Sequence, residues 1–374
     1  MKVLVAPDSF KESLSAVAVA QAIATGWSRS RPDDTIQCLP LADGGEGTLD
    51  TLLQATQGTL QHSTVTGPHN QPVEAQWGLL NKGNTALIEM AQASGLELLD
   101  PEQRDPCTTT TFGTGELVRA ALDHGARDII VTLGGSATND GGAGMAQALG
   151  YEFLDANGDA LPLGGAALIN LAHIDATLRD PRLDLCTFRG ACDVENPLCG
   201  PQGATAVYGP QKGLRPEDMD LLDQALQQLA ICLQRDLDLD IAHIPGAGAA
   251  GGLGAGLMAF CGATLNSGFA LVAGMTRLAP KIDWADLVIT GEGRMDGQSV
   301  QGKVVGNVGR MAQTSGTPTI ALCGTLGEGY EVLYTRGIVD IHSLDSDGAD
   351  RAELMAHAAA KLEALAADVA ASWI

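Results

Sequence analysis

Aromatic residues are scarce in this chain, with four Trp, four Tyr and six Phe among 374 residues. Platforms on which successive bases could stack are poorly supplied. Positive charge is scarce too: 22 Lys and Arg stand against 45 Asp and Glu, and a formal charge of −23 repels a phosphate backbone. Both shortages argue against a nucleic-acid partner. None of the eight cysteines (38, 107, 186, 192, 199, 232, 261 and 323) forms a C-x-x-C pair, so neither a zinc site nor a disulfide framework is indicated. Cys232 in LAICL and Cys323 in IALCG read as small reduced hydrophobes. No apolar run approaches the ~18 residues of a membrane span, since GLGAGLMAFCGA is short and broken by glycine. The first residues, KVLVA, form a strand pattern without the basic head and apolar stretch of a signal peptide, so a cytoplasmic protein is expected. The seven histidines show no metal-binding spacing, and G-x-S-x-G is absent, which leaves a hydrolase triad unsupported.

Apolar residues make up 45% of the chain, enough to bury the two cores expected at this length. The 47 glycines follow no G-X-Y period and gather at strand ends, as in a loop-rich α/β enzyme. Val3 to Ala6 and Thr35 to Leu39 read as strands around a helix from Leu14 to Trp27, followed by a helix near Gly47 to Ala55. ADLVIT, PTIALCG and GIVDIHSL read as further strands, separated by a helix from Val304 to Gln313. A helix from Arg351 to Ala371 closes the chain. The pattern predicts an α/β fold of two domains: residues 1–58 and 285–374 build one doubly wound parallel sheet, and residues 59–284 form an inserted domain with a mixed sheet. Within the insertion, LQHSTVTG, PVEAQWGLL and NTALIEM suggest antiparallel strands. DANGD signals a hairpin, and glycine and alanine after Gly251 suggest a helix.

The run DIIVTL empties into LGGSATNDGGAG, a glycine turn carrying Ser136, Thr138, Asn139 and Asp140. Short hydroxyl, amide and carboxylate groups on such a turn suit oxygen-rich ligands or a hydrated metal, while Asn139 or Asp140 could equally cap the following helix. Acidic glycine turns recur at ADGGEGT, with Asp43, and at TGEGRMD, with Glu292, Arg294 and Asp296. Asp8, Ser9 and Lys11 follow the first strand, where open α/β sheets bind ligands. Asp193 follows another strand, and Lys212 in YGPQKG reads either as a phosphate clamp or as a solvated side chain. Two nucleotide patterns fail on context. Gly246 to Gly251 matches a dinucleotide fingerprint, but no Asp or Glu follows through Ile282 to hold a ribose. Gly248 and Gly251 remain candidates either for an anion cradle or for close helix packing. Gly297 to Lys303 fits part of a P-loop, but Val304 stands where Ser or Thr should ligate magnesium.

PDSFKESLSA, LADGGEGT, GGSATNDGGAG, CDVENPLCGPQGA, YGPQKG, PGAGAAGG and TGEGRMDGQSVQGK occur in that order along nearly the whole chain. Together they resemble the bacterial glycerate kinases that phosphorylate the 2-hydroxyl. After Lys303, Val304-Val305-Gly306-Asn307 departs from the family pattern. The resemblance implies ATP-dependent conversion of D-glycerate to 2-phosphoglycerate with Mg2+. It also implies a flavodoxin-like domain, a second α/β domain inserted into it, a site in the cleft between them, and a monomer or homodimer. On that reading Asp193 is the base, and Lys11, Arg294, Lys212 and Lys303 bind carboxylate or phosphates. Asp43, Glu292 and Asp296 hold magnesium directly or through water, and Asp8, Ser9, Ser136, Thr138, Asn139, Gly248 and Gly251 line the substrate or phosphate pocket. A non-catalytic sugar-acid sensor and a nicotinamide-dependent hydroxy-acid dehydrogenase are the competing readings.

Overall fold

A computed structural model describes residues 1–45, 47–300, 303–345 and 351–373. Glu46 of the ADGGEGT turn and Gln301-Gly302 of the partial P-loop lie outside the described residues. The strands run, in chain order, β1 Lys2–Val5, β2 Thr35–Cys38, β3 Thr59–Thr66, β4 Pro72–Leu80, β5 Thr85–Glu89, β6 Asp128–Thr132 and β7 Glu152–Leu154. They continue with β8 His173–Asp175, β9 Thr187–Ala191, β10 Thr264–Asn266, β11 Leu287–Met295, β12 Thr319–Leu326 and β13 Ile338–Ser343. Two compact units result. One comprises Met1–Asp43, Asp50–Thr56 and Ser267–Ile374; the other comprises Gly44–Leu49 and Gln57–Asn266. Residues 267–284, grouped with the insertion in the sequence reading, cluster with the terminal segments.

The first unit is a parallel five-stranded sheet in the order β13-β12-β11-β1-β2. Relabelled within the sheet this is 2-1-3-4-5, the flavodoxin-like order, whose switch point lies between β1 and β11. Burial on both faces explains the unbroken apolar runs of its central strands. Ile320 and Leu322 of β12 join the cluster of Val3, Val5, Ile23, Trp27 and Leu362, whereas Ala321 and Cys323 join Met295, Val305 and Leu333. Alternate side chains thus serve two cores, one on each face. On the first face Gly26 admits a close helix crossing, because a Cβ there would overlap the Glu363 carbonyl oxygen. Ser15 caps the helix Ala16–Ser30 by accepting the Ala18 N–H at 3.2 Å. The closing helix is two pieces, Arg351–Ala356 and Ala358–Ser372, with His357 between them in a non-helical conformation.

The second unit carries a six-stranded mixed sheet, β10-β9-β6-β5-β4-β3. β5, β6, β9 and β10 are parallel neighbours, while β3 and β4 add an antiparallel flank. The chain reverses at DANGD as expected: Asp155 accepts the N–H groups of Asn157 and Asp159, its own N–H donates to the Asp159 carbonyl at 2.9 Å, Leu154 bridges Ala160 in antiparallel sense, and the Leu161 N–H donates to the Phe153 carbonyl at 2.8 Å. The three-residue ladder of β7 is formed with β8. The glycine-alanine helix also starts irregularly: Ala250, Gly251 and Gly252 have φ of 52°, 67° and 89°, outside the helical region.

Candidate active site

In the first unit the candidate residues gather at the C-terminal ends of β1 and β11, the switch point of the sheet. The Asp8 N–H donates to the Gly291 carbonyl at 2.8 Å, which fixes the loop leaving β1 against β11. The Ser9 N–H donates to Asp8 Oδ1 at 2.7 Å. Desolvation, reinforced by the charges of Asp43 and Glu292, raises the Asp8 pKa to about 7. Burial also raises the Glu292 pKa, while Lys303, with Nζ 3.4 Å from Glu292 Oε2, opposes it. Glu292 Oε1 is buried without a hydrogen-bond partner among the described residues. Arg294 is 69% exposed with Nε 3.6 Å from Asp296 Oδ2, and Lys11 is exposed. Lys303 occupies the N-cap of the helix Val304–Ser315 with extended φ/ψ, so the partial P-loop does begin a helix.

Among the described residues, no group of three or more His, Cys, Asp or Glu could hold a metal ion unaided. Asp43, Glu292 and Asp296 therefore do not form a closed carboxylate cage. Magnesium ordinarily keeps several waters and takes one or two carboxylates plus substrate phosphates. The orphaned Glu292 Oε1 and the like charges around Asp8 fit that open mode of binding.

In the second unit the parallel strands again end in the candidate loops. Ser136 to Asp140 follow β6, and Asp193 follows β9 in an exposed position. Lys212 is neither solvated nor free. It is 1% exposed, and its Nζ donates to Ser136 Oγ and to the Thr138 carbonyl, both at 2.7 Å. Burial lowers its pKa to about 7, against the pull of Asp140. Asp140, fully buried, accepts the Thr111 N–H and Oγ1–H at 2.8 Å and the Gly142 and Gly144 N–H groups at 3.1 and 3.2 Å. It is the cap and organiser of the turn. Asn139 Nδ2 donates to Thr205 Oγ1 at 3.0 Å. Thr138 Oγ1 and Asn139 Oδ1, both buried, have no hydrogen-bond partner among the described residues.

The glycine segment 246–251 resolves toward packing. A Cβ on Gly251 would overlap the Thr138 carbonyl oxygen, and one on Gly248 would overlap that of Pro197. The Gly248 N–H is already spent on the Asn196 carbonyl at 2.9 Å, which removes it from an anion cradle.

Two residues went unremarked in the sequence. Glu89 closes β5, is 7% exposed and accepts the Leu49 N–H at 2.9 Å; its place as the last residue of a buried strand was the available signal. Arg104 has a buried, unpartnered Nε, and nothing in PEQRDP announces it. A cavity of about 470 Å³ lined by Pro68, His69, Leu98 and Leu99 contains none of the predicted residues.

The glycerate kinase family model matches residues 3–374. The glycerate 2-kinase of Escherichia coli K12 is 49% identical over 92% of this chain and 90% of its own length. The glycerate kinase of Bacillus subtilis 168 is 46% identical, covering 100% of this chain and 97% of the relative. A solved structure assigned as glycerate kinase 2, from Salmonella typhimurium LT2, superposes with a TM-score of 0.92 at 47% identity, over 100% of this chain and 98% of the other. A match of this extent in sequence and fold places the chain in the glycerate kinase family, as an enzyme of the kinase class.

Proposed function

We propose that the chain transfers the γ-phosphoryl group of ATP to the 2-hydroxyl of D-glycerate, giving 2-phosphoglycerate and ADP. Family membership removes the sensor and dehydrogenase alternatives. The observation that carries the reading is the contrast between two strand-end clusters. Asp8, Asp43 and Glu292 crowd negative charge beside Lys303, which suits a cation and a polyphosphate. In the other unit, buried Lys212 and the unmet Thr138 Oγ1 and Asn139 Oδ1 suit a small hydroxy acid.

In the transfer, the 2-hydroxyl oxygen bonds to the γ-phosphorus as the bond from phosphorus to the β–γ bridging oxygen breaks, and ADP departs with that oxygen. The hydroxyl proton passes to Asp193. Lys11, Arg294 and Lys303 bind phosphate oxygens as point charges or forks, and Lys212 fixes the loop against which glycerate lies. Asp43, Glu292 and Asp296 would hold magnesium directly or through water, and the ion would there supply charge neutralisation for the phosphates. A phosphorus NMR assay with D-glycerate, ATP and magnesium tests this: the 2-phosphoglycerate signal is expected, while 3-phosphoglycerate or no product refutes it. Asp193→Asn should lose most of kcat, and near-wild-type turnover would remove Asp193 as the base.

A further inference from the structure

We propose that Arg104 is the binding residue for the carboxylate of the acceptor substrate, an inference that rests on the glycerate reading above. In this acidic chain nine other arginines stand in ion pairs with Asp or Glu. Arg104, like Arg127, Arg277, Arg310 and Arg336, has no such pair among the described residues, but it alone of these has a buried Nε without any hydrogen-bond acceptor among them. A guanidinium nitrogen withdrawn from water without a partner is costly, and a planar carboxylate is the acceptor that matches its fork.

Its position in the fold identifies which carboxylate. Gly213, at φ +85°, lies against the Arg104 backbone: a Cβ there would overlap the Arg104 carbonyl oxygen and stand 2.8 Å from its Cβ. The preceding residue is Lys212, whose ammonium holds Ser136 Oγ and the Thr138 carbonyl. On its other side, Thr109 Oγ1 donates to the Ala137 carbonyl at 2.9 Å, which ties the segment after Arg104 to the same loop. That loop carries the two other buried polar atoms left without partners among the described residues of this unit, Thr138 Oγ1 and Asn139 Oδ1. A donor that lacks an acceptor thus stands on a segment tied to the loop that carries a hydroxyl and an amide oxygen without partners. A short acid bearing adjacent hydroxyls supplies both kinds of group within one small molecule, and a planar carboxylate matches the guanidinium fork.

The test compares steady-state kinetics of the wild type, Arg104→Gln and Arg104→Lys, with D-glycerate and with glyceramide, its uncharged amide. The expected result is a KM for glycerate raised roughly tenfold or more, a KM for ATP within about twofold of wild type, and lost preference for glycerate over glyceramide. An unchanged glycerate KM overturns the inference. So does a parallel rise in both KM values with a lowered melting temperature, which marks a structural role. If Arg104→Gln fails to fold, Arg104→Lys, which keeps the stem and the charge but not the fork, decides by the same ratio. A wild type that fails to phosphorylate glycerate refutes the glycerate reading itself, whereas an active wild type with unaffected variants refutes only the role of Arg104.

Discussion

Replacing Asp8 by Asn should stabilise the protein while crippling it as a kinase. Asp8 lies among the charges of Asp43 and Glu292, and its pKa rises from 3.8 to about 7 in the folded state. The folded chain therefore holds this proton more tightly than the unfolded chain does. The stability that the proton confers is fully present below about pH 4 and is lost as pH rises to 7. At 1.36 kcal/mol per pKa unit the cost of ionising Asp8 in place is about 4 kcal/mol, and screening of a half-buried group reduces it to about 2. Asparagine keeps the shape without the charge. The stability gap between Asp8→Asn and wild type should therefore widen by about 1 to 3 kcal/mol between pH 5 and pH 8, a rise of several degrees in relative melting temperature. Calorimetry at both pH values, in low salt without divalent cations, measures it; comparing the gap rather than either protein cancels the other titrations. Adding magnesium and nucleotide should narrow the gap by stabilising wild type alone. A gap independent of pH, or a variant less stable throughout, refutes the account of Asp8 as a carboxylate crowded by like charge.

Lys212→Met should abolish most of kcat/KM by releasing Ser136 and Thr138. Because burial lowers the Lys212 pKa from 10.5 to about 7, the variant's stability relative to wild type should be greater at pH 6 than at pH 9, as melting curves will show. Asp140→Ala strips the acceptor from the amides of Thr111, Gly142 and Gly144 and should cost about 3 to 5 kcal/mol in urea unfolding. Gly251→Ala places a methyl against the Thr138 carbonyl at a φ of +67°, so a loss of about 2 kcal/mol or more together with a raised glycerate KM is expected from melting and kinetics.

Much of this arrangement can be read from the chain itself, because parallel strands buried on both faces carry unbroken apolar runs and glycine turns mark their C-terminal ends. The runs VLVA, LVIT and IALC announce the first sheet, and DIIVTL announces β6. DANGD announces the reversal at Leu154 and Ala160, but not that β7 also pairs with β8, whose residues lie further along the chain. The roles of single residues are less legible. Lys212 in a polar-looking loop gives no sign that it will be buried, since that depends on the Ser136 and Thr138 oxygens brought to it from far away in sequence. Arg104 is hidden for the converse reason: an ordinary surface-like segment becomes unusual only through the partner it lacks.

The buried carboxylate of Asp140 has a consequence for how the glycine turn behaves in time. Glycine-rich loops usually trade their amide hydrogens with water rapidly. Here the amides of Gly142, Gly144 and Thr111 all donate to one side chain inaccessible to solvent. They should exchange as slowly as those of the central strands, and only when the surrounding unit opens cooperatively. A turn that looks from its composition like a hinge is in physical terms a rigid anvil, already shaped before any ligand arrives.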